Sequence, residues 1–249
     1  MKFVAAMIVH NELGRYLEPC VEHLLAFCDE VRVLDDYSSD GSCEWLCDYP
    51  RVALRVNEGP SLFEHEGQAR QALLEWTMEG QPDYVLSIDA DEFVADGQAL
   101  RAALVRGKPV FGLRMGEVWG VNYEHLNVRT DGGWRPHVAP IIWKAPARLG
   151  GQWRIEPKAL SSGREPVAAR RMFAQAREPV SDILHFGWAN RSARQARYQR
   201  YVEADGGKFH ASAHLRSIMF PDHRCRLQPR EWPVGLVAYR DRIVEATRG

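Results

Sequence analysis

The sequence contains no apolar run long enough to cross a membrane and no cysteine spacing typical of a zinc site or a disulfide framework. No stretch approaches the roughly 18 consecutive apolar residues of a membrane span. The apolar start of the chain stops at His10, so we interpret residues 3–9 as a first strand and not as a signal peptide. The five cysteines are an odd number without paired CxxC motifs, which favours reduced thiols and predicts a cytoplasmic protein.

The chain has almost no net charge, but its charges are distributed unevenly. Residues 1–100 hold 6 basic and 20 acidic side chains, residues 101–182 hold 14 and 7, and residues 183–249 hold 12 and 6. An acidic first part that attracts a cation, followed by a basic remainder, suits a ligand that carries phosphates.

The first ninety residues alternate between short apolar runs and segments with apolar residues at helical spacing. The predicted elements are strands at residues 3–9, 31–34, 52–56 and 84–88, and helices at residues 16–27, after Ser42 and at residues 66–78. This alternation predicts an α/β fold with a mostly parallel sheet and helices on both faces. Right-handed crossovers then bring the carboxyl ends of the strands to one edge.

Three acids, Asp89, Asp91 and Glu92, follow the fourth predicted strand within four positions. Carboxylates at the end of a buried strand repel one another unless a cation or a donor-rich ligand lies there. Asp89 and Asp91 suit Mg²⁺ or Mn²⁺, which proteins hold with one or two carboxylates while leaving positions for water and phosphates. The alternative is a polar turn in which Asp91 or Glu92 caps the next helix, and an acidic motif alone does not decide between them.

Three further polar segments should meet these acids at the same edge of the sheet. They are His10-Asn11-Glu12 after the first strand, Asp35 to Ser42 after the second, and Gly67-Gln68-Ala69-Arg70 at the start of a helix. Each segment alone is typical of a turn or a helix cap. Their occurrence on consecutive elements predicts one shared binding site, to which the helix start adds backbone N–H groups that favour anions.

Together these motifs resemble the nucleotide-sugar-binding half of the family 2 glycosyltransferases with the GT-A fold. The resemblance covers residues 1–95 and implies a GT-A-type, Rossmann-like domain in which that half binds the nucleotide sugar and the metal. Residues 96–249 would form the acceptor-binding half of the same domain, with a C-terminal acceptor and lid region. The implied reaction is the metal-dependent transfer of a sugar from a nucleotide diphosphate sugar to a hydroxyl group, with inversion.

The resemblance also implies roles for individual residues. Asp36 would bind the nucleobase, Arg70 would bind the base or the diphosphate, and Asp89 would face the ribose or the sugar. Asp91 would ligate the metal. The other predicted lining residues of the nucleotide pocket are Val9, Asn11 and Glu12.

The second half of the chain offers three candidates for the catalytic base. Some family 2 members have a Gly-Gly-Trp-x-Pro-Asp stretch whose Asp is a candidate base, but here residues 132–136 are followed by His137. This departure leaves His137, Asp131 and Glu117 as candidates, since each could accept the acceptor proton with a suitable pKa. A structural turn with Trp134 in the core is the alternative.

Three cationic features in the second half also bear on the site. His185 interrupts an apolar run and is either a core residue or, as the resemblance implies, a further metal ligand that favours Mn²⁺ over Mg²⁺. The arginines of the helix at 191–202 recur every three residues, as a solvated face or a binding surface for the diphosphate or an acidic acceptor. Lys208 follows two glycines in a segment that could close over the leaving group.

Other functions stay open on the sequence. Phosphoryl transfer of the haloacid-dehalogenase type also uses Asp-x-Asp after a strand, but it needs a nucleophilic Asp near the first strand. The basic second half also suits a non-catalytic nucleotide-sugar or nucleic-acid binding module, or a DNA acceptor such as a hydroxymethylated pyrimidine. The predicted partners are a nucleotide diphosphate sugar and a glycan, protein, small-molecule or modified-DNA acceptor. The sequence specifies neither the sugar, the base, the acceptor nor the oligomeric state.

Overall fold

The computed structural model describes residues 1–57, 66–156, 163–172, 174, 178–204 and 213–248. Its strands are β1 (Phe3–Val9), β2 (Glu30–Asp35), β3 (Val52–Val56), β4 (Tyr84–Ser87), β5 (Glu92–Val94), β6 (Val110–Val121), β7 (His125–Arg129), β8 (His137–Lys144), β9 (Ser181–His185) and β10 (Leu227–Glu231). Its α-helices are α1 (Leu17–Leu25), α2 (Ser42–Cys47), α3 (Glu66–Glu79), α4 (Gly97–Leu104), α5 (Val167–Arg171), α6 (Arg191–Ala204), α7 (Ala213–Arg216) and α8 (Arg240–Arg248). Each element predicted in the first ninety residues is confirmed to within two residues at its ends.

The sheet confirms the predicted α/β class. Strands β1 to β4 form its parallel part. Its main path runs β10-β7-β6-β8-β4-β1-β2-β3. β1 pairs in parallel with β2 and β4, and β2 pairs in parallel with β3. Beyond β4 the pairs along this path are antiparallel, and β9 joins β6 in parallel and β5 in antiparallel orientation. The second half is therefore mixed, because direct returns such as β6 to β7 replace the crossover helices that parallel pairing needs.

β1 shows why helices cover both faces of the sheet. Successive side chains of a strand point to opposite faces. The odd-numbered residues of β1 pack in one buried cluster with α1, and Ala6 packs in a second buried cluster with α3. An apolar strand of this kind is buried on both sides, so its polar neighbours can reach solvent only at the strand ends.

Among the described residues, no helix combines the length and the apolar composition that crossing a lipid bilayer requires.

His23 of α1 makes folding stability depend on pH. Its side chain is buried, its Nε2 donates to the carbonyl of Val94 at 2.9 Å, and its ring contacts Phe27, Phe93 and Tyr239. Burial lowers the pKa of His23 from 6.5 to about 4, against the opposing effect of the Val94 hydrogen bond. Between these two values the unfolded chain takes up a proton that the folded chain does not. Stability should therefore fall as the pH drops from 6.5 to 4, by at most about 3 kcal/mol from this group.

This prediction is checked by urea unfolding of the wild type and of His23→Gln at pH 7, 5.5 and 4. We expect the wild type to lose more unfolding free energy than His23→Gln over this range, while His125→Gln on half-buried β7 follows the wild type. Parallel stability curves for the wild type and His23→Gln would show that His23 does not titrate in this way.

Candidate active site

A cleft of about 600 Å³ lies beyond the carboxyl ends of β1, β2 and β4. Residues after each of these three strands contribute to its wall, together with the start of α3 and parts of β6, β8, β9 and α6. The predicted site residues that line it are Glu12, Asp36, Arg70, Asp89, Asp91, Glu117, His137 and His185. The structure thus brings together side chains that are up to 173 positions apart in the sequence.

Two predicted lining residues support the wall of the cleft instead. Val9 and Asn11 are not among the described residues that line it. The carbonyl of Val9 accepts a hydrogen bond from the backbone N–H of Asp36 at 2.7 Å, and the Asn11 side chain accepts from the backbone N–H of Ser39 at 2.8 Å. Both residues therefore fix the turn after β2. Lys208, predicted to close over the leaving group, lies outside the described residues.

Asp131, one of the three candidate bases, has its carboxylate engaged by a buried arginine. Its two carboxylate oxygens accept from Arg129 at 2.7 and 3.0 Å, and one of them also accepts from the backbone N–H of Arg226 at 3.2 Å. Arg129 is fully buried against Trp119 and Trp134, so its charge depends on this partner. The hydrogen bonds from Arg129 lower the pKa of Asp131. A carboxylate held in this way is a poor proton acceptor, and it is not among the described lining residues of the cleft.

His137 takes the position that the sequence left open for a base. The turn before it forms a 3-10 helix, Gly132–Trp134. Trp134 is buried, which agrees with the alternative that this segment is a structural turn with Trp134 in the core. His137 itself is exposed, begins β8 and lines the cleft. The turn therefore has a structural role, and it positions His137 in the cleft wall.

Asp91 and His185 face each other across the centre of the cleft. Asp91 Oδ2 lies 3.4 Å from His185 Nε2, and His185 Nδ1 donates to Glu117 Oε2 at 2.6 Å. This arrangement follows from strand register, because His185 at the end of β9 is paired with Glu92 of β5 and with Glu117 of β6. In the neutral form of His185, the hydrogen bond from Nδ1 to Glu117 would leave the lone pair on Nε2, as is usual behind a metal-bound histidine.

The charges of this group stabilise one another. Burial opposes the charged form of His185, but Asp91 and Glu117 outweigh it and hold the pKa of His185 well above its usual value. Burial likewise opposes ionisation of Asp91, but His185 and Arg197 hold the pKa of Asp91 well below its usual range. The pKa of Glu117 is also lowered, chiefly by His185, despite its burial. Glu117 is thus better suited to positioning His185 than to accepting a proton.

Asp91 and His185 fit a metal held by two side chains. In the described part of the chain, no group of three or more His, Cys, Asp or Glu side chains could hold a metal. Mg²⁺ and Mn²⁺ need fewer protein ligands when phosphates and water fill the other positions. Gly187 keeps the space beside the pair open, because a Cβ there would lie 2.5 Å from Asp91 Oδ2 and 2.7 Å from His185 Nε2.

Asp89 lies between two arginines. Arg70 Nη2 donates to its Oδ1 at 2.7 Å, and Arg164 Nη1 donates to its Oδ2 at 3.2 Å. Arg164 also pairs with buried Glu92, whose Oε2 accepts from the backbone N–H of Asp89 at 3.0 Å. Burial raises the pKa of Asp89, but Arg70 and Arg164 outweigh it and lower the net value. Asp89 still exposes 34% of its side chain, so it can contact a ligand in the cleft.

The sequence did not predict Arg164 or single out Arg197. Arg164 carries no local motif, and only the tertiary structure places it beside Glu92. Arg197 is one of the evenly spaced arginines of α6, and its Nη2 lies 3.0 Å from Asp91 Oδ2. Arg194 of the same series is buried and donates to the carbonyls of Trp119 and Trp188. The arginines of α6 therefore do not form a single solvated face. Arg194 is buried in the protein, whereas Arg197 reaches the cleft.

Glu12 brings a carboxylate of a different kind to the cleft. Its Oε1 pairs with Arg15 at 3.0 Å, whereas its buried Oε2 has no hydrogen-bond partner among the described residues. Burial, with a contribution from Asp91, raises the pKa of Glu12 to about 7. A ligand that donates a hydrogen bond to Oε2 would satisfy this atom.

Comparisons with known proteins show the family of the chain. A model of glycosyl transferase family 2 matches residues 5–140. The chain belongs to glycosyl transferase family 2. This match confirms the predicted resemblance to the family.

Relatives at low identity cover much of the chain. Uncharacterized proteins of Mycobacterium tuberculosis and Mycobacterium bovis are each 27% identical over 233 residues, which is 88% of this chain and 55% of theirs. The chain therefore spans about half the length of the curated relatives it matches. The crystal structure of TarS 1-349 from S. aureus matches 88% of this chain and 69% of that chain, with 16% identity and a TM-score of 0.52. This likeness shows a shared fold.

Proposed function

We propose that this family 2 chain transfers a sugar from a nucleoside diphosphate sugar to a hydroxyl acceptor, with Mg²⁺ or Mn²⁺ held by Asp91 and His185. The observation that carries the proposal is the Asp91–His185 pair, which lies in one cleft with Asp36 and Arg70 beyond the carboxyl ends of the parallel strands. This is where open α/β sheets bind ligands. Membership of the family supports glycosyl transfer.

The charge of the cleft supports a divalent cation. Seven carboxylates and four arginines are among the described residues that line it, and His185, whose pKa is held well above its usual value, adds one more positive charge. A cleft with this excess of negative charge would repel a free diphosphate, whereas a cation that binds both the acids and the diphosphate converts repulsion into attraction. When bound, the metal would act as a Lewis acid on the diphosphate leaving group.

The donor would bind along the ends of β1, β2 and β4. Asp36 is buried, and its Oδ1 accepts from Asn57 Nδ2 at 2.8 Å, so its carboxylate has a fixed orientation for a nucleobase. The unpaired Oε2 of Glu12 offers an acceptor nearby in the same cleft. Asp89, oriented by Arg70 and Arg164, would face the ribose or the sugar.

His137 is the base that the geometry favours. The acceptor hydroxyl oxygen would form the bond to the anomeric carbon as the bond from that carbon to the diphosphate oxygen breaks, and the hydroxyl proton would pass to His137. Attack from the face opposite the leaving group inverts the anomeric carbon. Among the three candidates, His137 is an exposed cleft residue, whereas Asp131 and Glu117 are engaged with Arg129 and His185.

Gly187→Ala should impair transfer without unfolding the protein. The new Cβ would displace Asp91 Oδ2, His185 Nε2 and the guanidinium of Arg197, and misplacing catalytic groups by about 1 Å costs about 10²-fold in rate. Gly120→Ala is the matched control, because no atom lies within 4 Å of its new Cβ. Transfer rates and unfolding midpoints of both variants check this. Equal transfer rates for Gly187→Ala and the wild type would show that transfer does not need the space beside Asp91 and His185.

A thermal-shift screen of UDP-, GDP- and dTDP-sugars with and without Mn²⁺ tests the proposed function. A ligand that binds only the folded state raises the melting temperature. We expect one class of nucleotide sugar to do so in a metal-dependent way, and incubation with that donor and hydroxyl acceptors to release the nucleoside diphosphate. Binding without turnover of any donor at saturating metal would instead indicate a non-catalytic binding module.

A further inference from the structure

We propose that Arg197 is a built-in counter-cation that occupies the Asp91–His185 pair until a diphosphate binds, so that metal and nucleotide bind cooperatively. This inference rests on the proposed function, because it concerns the same metal site. It assigns Arg197 a role in controlling when that site can be filled.

The position of the guanidinium carries the inference. Arg197 Nη2 lies 3.0 Å from Asp91 Oδ2, and Arg197 Nη1 lies 3.5 Å from His185 Nε2. The same Nη1 borders the space that Gly187 leaves open, at 2.7 Å from a Cβ built there. Two nitrogens of one side chain therefore touch both proposed ligand atoms and the space between them.

A metal on Asp91 and this guanidinium exclude each other. Both would bind the same carboxylate oxygen, and like charges at that distance repel strongly in a site that is largely shielded from water. Within the described residues, the ion-pair partner of Arg197 is Asp91. Metal binding would thus remove the compensating charge of a largely buried cation, which is costly unless another anion replaces it.

A diphosphate supplies that replacement. Arg197 projects from α6 into the cleft wall, and its guanidinium lies over the ring of Trp188, with 4.7 Å from Cζ to the ring centroid. The stacking holds the side chain at the cleft when its ion pair with Asp91 is broken. A phosphate oxygen bound in the cleft would then pair with Arg197, while the metal takes Asp91 and His185. Metal and diphosphate should each raise the affinity for the other by the same factor.

Binding of Mn²⁺ alone, measured as loss of the free-ion electron paramagnetic resonance signal, tests this. Arg197→Gln and Arg197→Met should bind Mn²⁺ about tenfold more tightly than the wild type, because the competing charge is gone. Arg197→Lys keeps a charge and should stay closer to the wild type. Arg200→Gln removes an exposed cleft arginine that makes no ion pair with Asp91 among the described residues, and it should change the affinity less.

A second comparison locates the metal. Adding Asp91→Asn to Arg197→Gln should remove the gain in affinity. If Arg197→Gln does not fold, as judged by circular dichroism, Arg197→Met decides, since it keeps an apolar stem against Trp188. Should the folded Arg197 variants bind Mn²⁺ no more tightly than the wild type while Asp91→Asn abolishes binding, the inference about Arg197 is wrong and the metal site stands. No Mn²⁺ binding by any form, even with UDP, GDP or dTDP present, would overturn both.

Discussion

Asp91→Asn should lower sugar transfer by about 10³-fold and remove its dependence on added metal. Asparagine has nearly the same shape, so the change removes the negative charge and leaves the packing of this buried position intact. In the wild type, His185 and Arg197 keep Asp91 ionised against its burial, and that ionised state is the one a metal requires. Loss of the charge therefore removes one of the two proposed ligands, and with it the stabilisation of the diphosphate as it leaves.

The matched control for this variant is Asp182→Asn. Asp182 is a partly buried carboxylate on β9 that pairs with Arg114 at 2.7 Å and Arg230 at 3.2 Å, and it is not among the described lining residues of the cleft. We expect Asp182→Asn to keep its transfer rate and metal dependence within about twofold of the wild type, even if its stability falls. Steady-state rates over a series of Mn²⁺ concentrations measure both effects. Equal metal dependence in Asp91→Asn and the wild type would contradict the proposed role.

His137→Gln should lower kcat by about 10²- to 10³-fold, since positioned proton transfer contributes rate factors of about this size. Glutamine keeps a hydrogen-bonding group in the exposed position at the start of β8 but cannot take up the proton of the acceptor hydroxyl. Donor binding should persist, because the proposed donor contacts lie at Asp36, Asp89 and Asp91.

His125→Gln is the control for a histidine change on the same sheet. His125 begins β7, pairs in register with Glu231 of β10 and is not among the described residues of the cleft wall. Its kcat should match that of the wild type. A wild-type kcat in His137→Gln would rule out His137 as the base and direct attention to Glu117.

The sequence predicted which residues after β1, β2 and β4 meet in the cleft because their signals are local. The alternation of strands and helices defines the parallel strands β1 to β4, and the crossover rule then places the residues after each strand at one edge. Asp36, Asp89 and Asp91 could therefore be assigned to one site from their distance to a strand end, and the structure places all three in one cleft.

The contributions of β6, β9 and α6 to the cleft depend on contacts that are distant in sequence. β9 lies between β5 and β6, and this pairing sets His185 beside both Asp91 and Glu117. No periodicity in the sequence specifies such a register. The same holds for Arg164 and Arg197, whose partners lie 72 and 106 positions away.

Asp131 shows a different limit of sequence reasoning. Its place in a glycine-rich turn made it a candidate base, whereas in the structure its carboxylate is paired with buried Arg129. Burial of an arginine two positions earlier cannot be read from the turn itself. His137 was a candidate base because it stands where the resembling motif has a carboxylate.

Calorimetric titration with UDP, GDP and dTDP, each with and without Mn²⁺, tests the central claim most directly when wild type and Asp91→Asn are compared. The claim is that Asp91 joins a nucleoside diphosphate to the sheet edge through a divalent cation. It predicts that Mn²⁺ increases the affinity of the wild type for one of these nucleotides by about tenfold or more and has no such effect on Asp91→Asn. Affinities that do not change with Mn²⁺ in the wild type, or an equal increase in Asp91→Asn, would contradict it.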